Sequence, residues 1–184
     1  ISDEPYRKLM YTDTPYPFIF DHHARSIVAT SHSKDLGLAG ERIGYIAVNP
    51  GDPGRADLTA ALNFSLRTLG FVNAPALMQH IIARLQDVTI DVGEYESSRD
   101  FLHSALTDIG YSVVRPEGAF YMFPRSPIED DVAFVDQLKQ HRVLVVPGAG
   151  FGTPGHFRIS FCVTEATLQG SLEGFRQAFN AARE

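Results

Sequence analysis

The chain has 184 residues, 44% of them hydrophobic and 21% charged, with a formal net charge of −6. That is enough apolar material for one large domain or two small ones, while the acidic balance excludes a general nucleic-acid binder, which needs a basic face. A single cysteine, Cys162, cannot close an internal disulfide, which fits a reducing cytosol, and no apolar run approaches the roughly 18 residues of a membrane span.

The first residues, ISDEPY, predict a strand end over 1–3, stopped by Pro5, which has no N–H to give to a sheet ladder. The opening lacks a methionine, and we expect the chain to be a C-terminal piece of something longer. The β-branched run at 26–30 and the run at 43–48 predict buried strands. PGDPG at 50–54 marks a turn, and leucines near helical spacing predict helices over 56–69 and 76–86. A third helix is expected over 93–109, stopped by Gly110. YSVVR and AFYMF, joined by PEG, then suggest a hairpin.

A helix over 130–141 follows, with Glu129, Asp130 and Asp131 expected as its solvated start, favourable near the helix dipole. VLVVP predicts a strand, GAGFGTPG a loop and HFRISFCV a strand that carries Cys162 as a small core residue. Thr164 suits the N-cap of the last helix, whose stripe is Leu168, Leu172, Phe175 and Phe179. We expect an α/β chain with two parts, 1–85 and 86–184, the second a small α+β domain.

Chemistry concentrates in SHSKDLGLAGERIGY, residues 31–45. Two hydroxyls, Ser31 and Ser33, and the Arg42 guanidinium can hold a phosphate, and the Lys34 amine can condense with an aldehyde. Asp3 and Tyr6 stand three apart, and a bend at Pro5 would let both turn towards one ligand. Arg158 lies on an otherwise apolar strand, where a charge is rarely left unpaired. His22 and His23 have no metal-ligand spacing, so no metal is expected.

Four segments, SDEPY, SHSKDLGLAGERIGY, PEGAFYMFP and VLVVPGAGFGTPGHFRISF, occur in one order across nearly the whole chain. In that order they resemble the C-terminal half of class I/II pyridoxal-phosphate aminotransferases of the aspartate aminotransferase type. The resemblance implies the fold type I transferase fold, with 1–85 the end of the large cofactor-binding domain. It implies pyridoxal 5′-phosphate held on Lys34 as a Schiff base, Asp3 at the pyridine nitrogen and Tyr6 at the ring oxygen. Ser31, Ser33 and Arg42 would hold the phosphate. Arg158 would bind the substrate α-carboxylate, with Phe120 and Tyr121 near it.

An aminotransferase acting on an amino acid and a 2-oxo acid is therefore expected, as a cytoplasmic homodimer. The 184 residues lack the N-terminal half's phosphate loop and stacking aromatic, so turnover by this piece alone is not expected. A lyase or decarboxylase on the same site, or the effector domain of a transcription regulator, are the alternatives. His32 stands where the family commonly has phenylalanine.

Overall fold

Three short strands organise the first of two units into which the computed structural model, describing residues 1–183, divides. This unit spans Ile1–Ile90. Strand β1 (Ser2–Asp3) pairs in parallel with β2 (Ile27–Ser31), which pairs antiparallel with β3 (Gly44–Val48), giving the order β1-β2-β3. Short helix α1 (Ile19–His22) lies in the crossover from β1 to β2, and α2 (His32–Asp35) follows β2 directly. Helices α3 (Arg55–Thr68) and α4 (Ala76–Ile82) complete the unit.

The helix expected over 76–86 stops at Ile82 because its last turn tightens. The Arg84 amide donates to the Ile81 carbonyl at 3.0 Å and the Leu85 amide to the Ile82 carbonyl at 3.0 Å, the shorter-range bonding of a 3₁₀ turn. The leucines of α3 keep helical spacing, yet none of its residues is buried, and Phe64 is 71% exposed. Buried apolar side chains in this unit are Leu9, Val28, Ile43 and Ile82.

The second unit runs from Asp91 onward. Helix α5 (Val92–Ile109) is capped by Asp91, which accepts from the Gly93 amide, and ends at Gly110. Strands β4 (Tyr121–Met122), β5 (Val146–Pro147) and β6 (Phe157–Ser160) form an antiparallel sheet in the order β4-β6-β5. Helix α6 (Asp131–Gln140) has Asp130 as N-cap, and α7 (Glu165–Ala181) has Thr164. Aromatic rings fill the core: Tyr111 contacts Phe134, Phe157, Phe175 and Phe179, and its hydroxyl donates to the Phe175 carbonyl at 2.9 Å. Burial raises the Tyr111 phenol pKa.

Two expectations are overturned here. YSVVR and AFYMF do not form a hairpin, because β4 pairs with β6 instead (Tyr121 opposite Ser160) and residues 111–115 form no strand. Tyr111 is drawn into the aromatic core, and the Ser112 carbonyl accepts from the Arg125 amide at 2.9 Å, beyond AFYMF. Cys162 is not a core residue: β6 ends at Ser160 and the thiol is exposed, 3.5 Å from the Tyr95 hydroxyl. That contact first, and burial second, push the Tyr95 phenol up to about 12.

Candidate active site

Parallel pairing of β1 and β2 brings both carboxyl ends to one side of the sheet, with Asp3 opposite Ala29 and Ser31 two residues beyond. Ligands of open α/β sheets bind outside such ends. The chain turns immediately after β1: the Leu9 amide donates to the Tyr6 carbonyl at 2.8 Å. That turn and α2 are therefore neighbours, and the Lys34 Nζ lies 5.9 Å from the centre of the Tyr6 ring. Asp3 is exposed at the end of β1. Ser31 is the N-cap of α2, but its hydroxyl makes no cap bond.

Ser33 is half-buried on α2. Arg42 is exposed, in the left-handed backbone conformation (φ 51°, ψ 44°) that closes the 3₁₀ turn over Ala39–Glu41, and its guanidinium donates to the Ala39 carbonyl at 3.0 Å. The β2–β3 register sets Gly44 opposite Ser31, which carries the chain after Arg42 past the serine. An amine, a carboxylate, a phenol and hydroxyls at one sheet end match the functional groups of pyridoxal phosphate: aldehyde, ring nitrogen, ring oxygen and phosphate.

Behind Lys34, α2 is tied to the unit by His32 and by groups that the sequence does not single out. His32 is buried, its Nδ1 3.2 Å from Asp35 Oδ2. Lys8 Nζ lies 3.9 Å from the same carboxylate and donates to the Gln86 carbonyl at 2.6 Å. The Asp35 carbonyl accepts from the Ile90 amide and the Thr89 hydroxyl, both at 2.9 Å. Strand alternation sends Glu4, next to exposed Asp3, inward instead; it is buried and lines a cavity of about 40 Å³ with Lys8, His32 and Asp35. A larger groove of about 1220 Å³ lies elsewhere in the unit, against β3, α3 and α4. Arg42 and His32 line it, but Asp3, Tyr6, Ser31, Ser33 and Lys34 do not.

The second unit carries its own cluster. Alternation along β6 buries Phe157 and Ile159 and turns Arg158 to the opposite face, half-buried. Its guanidinium carbon stands 4.5 Å from the centre of the Tyr121 ring and 4.2 Å from that of Phe151. It has no ion-pair partner among the described residues. A guanidinium held through ring faces keeps its N–H donors for an anion. Phe120 is buried, with its ring 5.7 Å from Tyr95 and 4.9 Å from Tyr121.

Asp131 is not the solvated helix start that its acidic neighbours suggest. Asp130 caps α6, whereas Asp131 is buried and accepts from the Ala149 amide at 2.8 Å and the Gly155 amide at 3.2 Å. These amides, Ala149 foremost and against the opposing effect of burial, hold its carboxyl below the usual carboxylate range. Phe151 and Asp131 are the residues that the sequence reading missed in this unit.

Comparison with known proteins assigns the chain. The family described as Aminotransferase class I and II matches residues 1–175. A probable aspartate/prephenate aminotransferase of Aquifex aeolicus is 33% identical over 100% of this chain and 49% of its own length. The aspartate aminotransferase of Thermotoga maritima is 29% identical over 98% of this chain and 47% of its own length. Among solved structures, an amino transferase from Eubacterium rectale superposes with a TM-score of 0.94 at 40% identity, covering 99% of this chain and 46% of that one. The chain thus spans about half the length of the curated relatives it matches.

Proposed function

Because the chain belongs to the class I and II aminotransferase family, we propose that the complete protein moves an amino group from an amino acid to a 2-oxo acid, using pyridoxal 5′-phosphate. The fold is that of the type I pyridoxal-phosphate-dependent transferases. The observation that carries the reading is the approach of the Lys34 amine to Tyr6, at the sheet end where Asp3 and Ser31 also stand.

When bound, pyridoxal phosphate supplies the electron sink that lets a proton leave the substrate α-carbon. Lys34 would hold the cofactor aldehyde through its amine and, when free, would serve as the general base for that α-proton. Asp3 would keep a positive charge at the ring nitrogen by pairing with it. The Tyr6 phenol would donate to the ring oxygen, and Ser31, Ser33 and Arg42 would hold the phosphate. Arg158 fixes the α-carboxylate with its planar fork of donors, with Tyr121 and Phe120 beside it. The unit Ile1–Ile90 is the end of the large cofactor domain, and the unit from Asp91 is the small domain. The complete protein works as a homodimer in the cytoplasm.

Product analysis on the full-length protein tests the reaction. A 2-oxo acid formed from an amino acid only when a second 2-oxo acid is supplied fits transamination. Ammonia and pyruvate released without an acceptor would make it a lyase, and carbon dioxide release a decarboxylase.

A further inference from the structure

The two rings against Arg158 are held by different means. Tyr121 belongs to β4, and the sheet fixes it, since Tyr121 pairs with Ser160 two residues from the arginine. Phe151 has no strand behind it. It closes a 3₁₀ turn (Gly148–Phe151) inside the segment GAGFGTPG, whose glycines give the backbone many alternatives. The turn's own bonds are few: Gly152 amide to Ala149 carbonyl at 3.1 Å and Thr153 amide to Gly148 carbonyl at 3.0 Å.

Backbone bonds hold the two ends, Gly148 amide to His156 carbonyl at 2.8 Å and Ser126 amide to Gly155 carbonyl at 2.9 Å, and the Phe151 ring meets Phe123 edge-on at 6.2 Å; Asp131 adds two further ties. Its two carboxylate oxygens each accept an amide, one at either end of the segment, Ala149 and Gly155. A buried carboxylate is costly unless bonded in this way, and such charge-assisted bonds are strong. The N-cap bond of its own helix is made by Asp130.

We propose that Asp131 is a positioning residue for Arg158: by clamping both ends of the 148–155 segment, it lays the Phe151 ring over the guanidinium and orients it for a carboxylate ligand. This rests on the reading above that Arg158 receives the substrate carboxylate.

The test uses the full-length protein and the variants Asp131→Asn, Phe151→Leu, their double, and Arg158→Leu. Propionate, which has a carboxylate and no amino group, is titrated by ligand-observed NMR, and KM and kcat are measured for an amino-acid donor that supports turnover. Arg158→Leu is expected to abolish propionate binding. Asp131→Asn and Phe151→Leu are each expected to raise the propionate Kd and the donor KM by about fivefold, the scale of one part-exposed cation–π contact, with a smaller effect on kcat. The double variant should bind no worse than Phe151→Leu, since Asp131 acts through that ring.

Losses that add in the double variant, or unaltered propionate binding by Asp131→Asn, would overturn the proposal. Phe151→Leu leaves the Asp131 bonds in place, so unaltered binding by that variant overturns it even if Asp131→Asn does not fold. Normal propionate binding by Arg158→Leu would instead remove the reading of Arg158 on which the proposal stands.

Discussion

Tyr6 follows β1 and Lys34 follows β2, with the whole crossover between them, yet the amine sits 5.9 Å from the ring centre. Parallel pairing of two short strands produces the approach, because it returns the chain to the same sheet end before α2 begins. Tyr6→Phe keeps the ring and removes only the phenol. In the full-length protein it should lower kcat/KM by about tenfold to a hundredfold, the worth of one hydrogen bond to a charged group. Steady-state kinetics check this, and unaltered rates would take the phenol out of the account.

Asp131 predicts an acid-side dependence of stability in the second unit. Its folded-state pKa lies below the ordinary carboxylate value, by the pull of the Ala149 and Gly155 amides. The stabilisation is therefore fully present above the unfolded pKa of about 4 and is lost as pH falls through the lower folded value. Asp131→Asn should be less stable at pH 7 and lose less on acidification than the unaltered protein. Chemical unfolding at a series of pH values reads the difference. A residual slope should remain, because Arg99 first and Arg115 also lower the Asp100 pKa.

Gly148 has no room for a side chain. A Cβ there would clash with the Thr153 carbonyl oxygen and lie 2.7 Å from that of His156, both backbone atoms that cannot swing aside. Gly148→Ala should destabilise the second unit by about 1–3 kcal/mol, the usual cost of overpacking. Thermal unfolding measures it.

Buried apolar side chains are unevenly shared. The first unit has four among the described residues, Leu9, Val28, Ile43 and Ile82, while the second has sixteen, including Phe134, Phe157, Phe161 and Phe175. Exposed Tyr45 and Ile46 on β3 add to the imbalance. Limited proteolysis of the 184-residue chain should cut within Ile1–Ile90 first and leave a resistant piece beginning near Asp91. Equal cleavage throughout would contradict the imbalance.

The sequence was most legible where one local rule decides the outcome. Periodicity and caps located α5, α6 and α7, down to Thr164 as an N-cap, while the cap role of Asp130 was not read. Apolar runs located β2 and β3 to within a residue, but β3 is exposed over residues 44–46 rather than buried as expected. The four ordered segments identified the family. What escaped depended on partners distant in sequence. Asp131 looked like a solvated acid because its amides arrive from a later loop. AFYMF chose β6 rather than its neighbour YSVVR, a choice that only the completed sheet makes. Phe151 gave no signal, since a phenylalanine among glycines carries no period.

The central claim is that the amine at position 34 holds the cofactor. The most direct measurement is borohydride reduction of the full-length protein loaded with pyridoxal phosphate, followed by peptide mass spectrometry. The account predicts the phosphopyridoxyl mass on Lys34, with no label in a Lys34→Ala variant. Label on any other lysine of the unaltered protein would contradict it.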